Sequence, residues 1–301
     1  MNIYRLNNID LGSLGFIPGK QNASNIALEG CFDMPARIGK TFHSWGDEDG
    51  IEPYVSAAEI NYGGRSISLV GYVYGNGKMD CTNKANRIFE LIDRFSGLVS
   101  LSCKWGTYQV HVNQSVTGAF IGDKALRMTF NFFEPVVFME TRKTPGTNAE
   151  YGIDGISFKD LGATLLRSTG DRASRPTPKT LGFTSQEDGL GLVKTEAREI
   201  NLKMFIDQPD QASFRETVDR FYTLFSAPGL RKLRIPNDLN RQFFVKDGFK
   251  VSNVNSWPNR MTGIIECKIT ESGVLETYVD LVDNSNRKIT NSLNNLISVR
   301  I

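Results

Sequence analysis

The chain has 301 residues, 40% of them apolar and 23% charged, and carries a net charge of +2. This is an ordinary globular mix, long enough for about two domains, and too balanced in charge to imply a nucleic-acid or membrane-surface partner by itself. No apolar run approaches the roughly 18 to 20 residues of a membrane span, so no membrane anchor is expected.

The N-terminus, "MNIYRLNNIDLGSLGF", lacks a basic segment followed by an apolar one and does not read as a secretory signal. The cysteines Cys31, Cys81, Cys103 and Cys267 lie far apart and form no CxxC pair, so free thiols are expected. With 28 Gly and 19 Phe, the composition suits many strands joined by tight turns.

In chain order, an opening strand is expected around Leu11 to Pro18, then a loop through Leu28 to Gly50. A strand pair follows over Ala57 to Gly75. A helix then presents Ala85, Ile88, Ile92 and Phe95 on one face, at i, i+3, i+7 and i+10. Asp80 or Thr82 is placed to cap it and Gly97 to end it in a left-handed turn. Three further β-type runs follow: "LVSLSCKW", "TYQVHVNQSVTG" and "ALRMTFNFFEPVVF". The last of these is rich in Phe, which suits a buried strand and an interface equally.

The polar segment "ETRKTPGTNAEYG" marks the boundary between two domains, 1–140 and 153–301, with 141–152 as linker. The second part repeats the order of the first. "ISFKDLGATLLRS" resembles the opening strand, and "TLGFTSQEDGLGL" echoes "SWGDEDGIEP". "REINLKMFID" echoes "RSISLVGYVY", and both alternate inward and outward with period two. A second helix puts Phe214, Val218, Phe221 and Phe225 on one face, with Arg215, Glu216, Asp219 and Arg220 opposite. Asp210 is its cap and Gly229 its stop. Three β-type runs close the repeat, and the Asn-rich tail has an apolar end suited to docking. The expected class is α+β, mainly β: two tandem β-sandwich or barrel-like units, each with one helix laid on its sheet.

No chemistry is signalled. His43 and His111 are the only histidines, and no GxSxG surrounds a serine. Asp47, Glu48 and Asp49 form an acidic tip that lacks calcium-ligand spacing; a hydrolase using them is a minor alternative. Gly75 and Gly77 do not fit a phosphate loop, and Asn76-Gly77 reads as a turn. Arg231, Lys232 and Arg234 make a small basic patch of a common kind. No catalytic, cofactor-binding or metal residues are expected.

The stretches "LGF" (Leu14 to Phe16), "LEGCFDMPARIGKTFHSWG", "RSISLVGYVYG" and "NRIFELIDRFSGLVSLSCKWGTYQVHV" together resemble the N-terminal domain of phage distal tail proteins, over about residues 1 to 140. The resemblance implies subunits joined edge to edge into a ring around a channel. That ring would bind the tail tube protein and the tail hub, tip or receptor-binding proteins, with DNA only in transit. It implies no catalytic residues and a place in the virion tail.

Family members often carry a lectin-like module next; here a second ring-type domain follows. Three chains would then give six domains in a pseudo-hexameric ring, and six chains a true hexamer. A tail tube or hub protein is the alternative within this class. A carbohydrate-binding module is the alternative outside it, with Trp45, Trp105 and Trp257 as its only tryptophans.

Overall fold

The structure is a computed structural model of the whole chain. It describes residues 3–46, 48–112, 116–147, 149, 151–170, 176–179, 194–235, 240–273, 278–280 and 298–300. The echo at 180–192 and most of the Asn-rich tail therefore lie outside the described residues, as does Asp47.

The chain is mainly β, with two long helices. Its first half contains β1 (Arg5–Leu6), β2 (Ile9–Asp10), β3 (Phe16–Pro18), β4 (Leu28–Glu29), β5 (Phe42–His43), β6 (Glu52–Pro53) and β7 (Arg65–Tyr74). After α1 (Lys78–Asp93) come β8 (Val99–Cys103), β9 (Gly106–Val112), β10 (Thr117–Phe120) and β11 (Ala125–Glu134). The second half contains β12 (Gly152–Ile153), β13 (Ile156–Ser157), β14 (Ala163–Thr169) and β15 (Glu199–Gln208). It continues with α2 (Gln211–Ser226), β16 (Arg231–Arg234), β17 (Arg241–Phe244), β18 (Phe249–Trp257) and β19 (Arg260–Glu271).

The two large sheets share one strand order. The first runs β2-β1-β8-β9-β11-β7-β3, with β10 added on β11 and β4 on β7. The second runs β13-β12-β16-β17-β19-β15-β14, with β18 added on β19. Apart from β4, each strand of the first sheet thus has a counterpart in the second: β7 matches β15, β11 matches β19, and β10 matches β18. The register of the central pair agrees residue by residue, since Leu69 faces Phe130 where Leu202 faces Cys267, whereas β14 and β18 carry bulges that β3 and β10 lack.

Local chemistry explains the elements. Ile67, Leu69 and Val73 alternate into the core from β7, as Ile200, Leu202, Met204 and Ile206 do from β15. Helix α1 buries Cys81, Ala85, Ile88 and Leu91 against β7 and β11. Helix α2 lies on β15 and β19 and buries Phe214, Val218, Phe221 and Phe225. Asp210 caps α2 by accepting from the Ser213 N–H at 2.8 Å. The buried side chains of both halves form one continuous core.

Several expectations are corrected. Asp80 is not the cap of α1. Gly77 holds that place, while Asp80 sits in the first turn and reaches back to accept from Asn76 N–H at 3.0 Å. Thr82 instead bonds the carbonyl of Lys78, back along the helix. Gly97 does not adopt a left-handed conformation; Gly229 does, but two residues beyond the Ala227 cap and after Pro228. Residues 11–14 form a short 3-10 turn rather than a strand, and the expected strand pair over 57–75 is the single strand β7. Asp219 is buried rather than solvent-facing, because the first half covers that side of α2.

Candidate assembly interface

The most elaborate polar arrangement among the described residues is where the two halves meet. In the first half Arg65 Nε donates to Glu134 Oε2 at 2.7 Å, both side chains buried. Sheet register sets this pair, since Glu134 stands directly opposite Arg65 across β11 and β7. The same guanidinium donates at 3.0 Å to the carbonyl of Asp33 and at 3.0 Å to the hydroxyl of Tyr222, which comes from α2. The Tyr222 hydroxyl in turn donates to the carbonyls of Phe32 and Asp33. Phe32 makes a T-shaped contact with Phe214 at 5.2 Å, and the Arg215 guanidinium lies 5.5 Å from the Phe32 ring centre.

Beyond this knot the connection from β3 to β7 runs along the outer edge of β18. Met34 N–H donates to the Phe249 carbonyl at 2.9 Å, and Val251 N–H donates to Asp33 Oδ1 at 2.7 Å. Asn25 N–H donates to the Val254 carbonyl at 3.1 Å, and Ser24 Oγ accepts from Val254 N–H at 2.9 Å. Asn25 Oδ1 accepts from Ser256 N–H at 2.8 Å. An open strand edge carries unmet donors and acceptors; here the opposite half supplies them. The approach is close enough to require Gly248, whose φ is +66° and where a Cβ would stand 2.2 Å from the Met34 carbonyl oxygen.

Burial raises the Asp33 carboxyl from 3.8 to about 6, against the lowering effect of the Val251 N–H bond and of Arg65 and Lys250 nearby. Asp219 is also raised to about 6 by burial, opposed by Arg215. Cys31, beside this knot, is fully buried and its thiol is pushed up to about 12. A thiol held protonated and enclosed is a packing residue rather than a nucleophile.

The acidic tip makes a second crossing. Asp49 Oδ1 accepts from the Thr195 N–H at 2.8 Å, a bond that holds its carboxyl below the usual range. Lys179 Nζ donates to the carbonyls of Trp45, Glu48 and Gly50. So Asp49 and the Glu48 backbone tie the halves together, and neither is placed as an acid–base pair.

The remaining candidates stand apart. His43 Nδ1 lies 2.9 Å from Lys40 Nζ, and its ring meets Trp45 at 4.0 Å. His111 on β9 packs on Phe133 at 5.5 Å. Neither histidine has a serine, threonine or cysteine as a partner among the described residues, and the Lys40 beside His43 is exposed. Arg231 pairs with Asp154 at 3.0 Å, so the basic patch is partly spent on a hairpin.

Trp105 is buried and bonds Tyr4, whereas Trp45 and Trp257 are exposed. The Phe-rich strand is buried at Phe130 and Phe132, but its continuation exposes Val136 and Phe138. All four cysteines are unpaired, with Cys103 half-buried and the others buried. No helix among the described residues is long and apolar enough to cross a membrane, and no cluster of His, Cys, Asp and Glu there has the makings of a metal site.

Sequence reading missed the Arg65–Glu134–Tyr222 knot. The only visible signal was the parallel placing of Arg65 and Arg198 at the heads of two similar strands.

No family model matches the chain, and no curated protein matches it. Among solved structures it is similar to the Dit protein (gp 19.1) of phage SPP1, described as a paradigm of the hub adsorption apparatus in phages that infect Gram-positive bacteria. The likeness is partial, with a TM-score of 0.34 at 10% identity, over 89% of this chain and 99% of that one.

Proposed function

We propose that this chain is a structural protein of a phage tail. In this reading it forms a ring at the distal end of the tail tube, joins the tube to the tip or baseplate, and leaves a central channel for DNA. The observation that carries the reading is the duplicated sheet whose edge strand is already closed by the neighbouring half. A protein made of repeating tiles that finish each other's edges is suited to head-to-tail assembly, and such contacts close into rings when the rotation permits. The resemblance of residues 1 to 140 to distal tail proteins supplies the location.

The matching sheets also favour a second reading within the class, a tail hub or tube protein in which three chains present six tiles. Immunogold labelling and quantitative mass spectrometry of purified particles test both. A few copies at the tail end are expected for a distal ring or hub, and many copies along the tail for a tube. Absence of the chain from purified particles would refute the reading.

A further inference from the structure

The geometry points to the outer edge of β10 as the surface that receives the second half of another copy of this chain. The proposal rests on the ring reading for its partner and on the internal junction for its geometry.

β10 is the counterpart of β18. Each is the last strand on its sheet, antiparallel to β11 or β19. Register equates Gly118, opposite Met128, with Val251, opposite Ile265. The Val251 N–H is taken by Asp33 of the first half. For Gly118 and its neighbours no such partner occurs among the described residues, and all four residues of β10 are exposed.

Bond alternation says which groups are open. Ile121 N–H donates to the Ala125 carbonyl at 2.8 Å, closing the hairpin. In an antiparallel pair the bonded residues recur every second position, so Ala119 and Thr117 also bond β11. The N–H and C=O of Gly118 and Phe120 therefore point off the sheet.

The adjoining helix face agrees. Tyr222 and Asp219 of α2 are buried beneath the first half. Their counterparts on α1, by equal position in two helices of 16 residues, are Phe89, half-buried, and Asn86, exposed. Phe120 and Ile121 add exposed apolar surface at the turn end of β10, at 44% and 54%, with Lys78 at the start of α1 over the Phe120 ring. An open edge flanked by apolar side chains is a template for strand addition.

The occupant follows from what covers the matching edge. At the internal junction the covering chain leaves its own sheet at Gly30, with φ +82° and a Cβ position 2.1 Å from the Ser66 carbonyl oxygen. Gly170 repeats this, with φ +86° and 2.3 Å to the carbonyl of Glu199, the counterpart of Ser66. β14 of the second half thus ends at a turn like the one that follows β4, while no described residue of the same chain covers the β10 edge. A second copy supplies the edge.

Gly118→Pro tests this. It removes one outward N–H and spares the β11 ladder, and a Cβ there meets only Leu126 at 3.5 Å. Phe120→Glu is the companion variant. In light scattering, wild type is expected as a closed oligomer. Each variant should weaken association by about tenfold or more while melting as wild type does. In hydrogen exchange, the Gly118 and Phe120 amides should slow by roughly tenfold on assembly of wild type.

Variants that assemble like wild type would overturn the proposal, as would a wild-type chain that stays monomeric at its highest soluble concentration. An oligomer unaffected by these changes in a protein still found in particles sinks this edge alone. Absence from particles, with the edge effect intact, sinks the tail reading alone.

Discussion

Arg65 and Glu134 face each other at 2.7 Å across β7 and β11, and Arg198 and Glu271 stand in the same register across β15 and β19 at 3.6 Å. An ion pair placed twice at equivalent points of two sheets marks their likeness independently of strand order. The two halves differ in what surrounds the pair. In the first half Tyr222 arrives from the other half, whereas in the second Arg241 joins Glu271 at 2.9 Å.

Glu134→Ala should therefore be severe. It leaves the Arg65 charge buried without its carboxylate, a change that costs about 3–5 kcal/mol. Arg65→Met combined with Glu134→Leu should recover much of that loss, since no lone charge then remains. Denaturant titration of the three proteins checks this; equal stability of the single and double variants would contradict it.

Gly248→Ala strains the backbone at positive φ and drives a Cβ into the Met34 carbonyl. A loss of about 1–3 kcal/mol is expected from the conformation alone. The connection from β3 to β7 should also become open to protease. Limited proteolysis mapped by mass spectrometry should show new cuts between residues 20 and 37, and an unchanged digest would argue against the clasp.

Asp33 should make stability fall as pH rises. Its pKa goes from 3.8 unfolded to about 6 folded, so the folded state binds its proton more tightly. That contribution is complete below about pH 4 and is lost as pH climbs through 6. Asp219 acts in the same direction. Exposed carboxylates held low, such as Asp49 and Asp210, act oppositely. The readout is the difference between wild type and Asp33→Asn, whose amide oxygen still accepts from Val251. Over that window wild type should lose about 1–2 kcal/mol relative to the variant, after discounting for screening. Parallel curves would refute it.

Asp210→Ala removes the cap of α2 and should cost about 1 kcal/mol. Asp80→Ala should also cost stability, through its bonds to Asn76 N–H and Lys84. Thermal melts of the two variants give the comparison.

Much of the fold was legible in residue order because helices and strands write their burial as periodicity. Phe214, Val218, Phe221 and Phe225 fall inside, as their spacing requires. The repeat was legible for the same reason. The junction was not. Its bonds at β18 are largely backbone groups, which every residue carries, joined to partners more than 200 positions away. Asp219 shows the related failure: on a helical wheel a carboxylate reads as solvent-facing, and only a cover from the distant half buries it.

The clasp of residues 24–34 on β18 has a consequence for synthesis. These residues leave the ribosome long before their partner strand exists. At about 5–20 residues per second, the wait is roughly 10 to 40 s. Throughout it Phe32 waits for Phe214 and Met34 for the Phe249 carbonyl, so this segment reaches its final packing only once translation has passed Trp257.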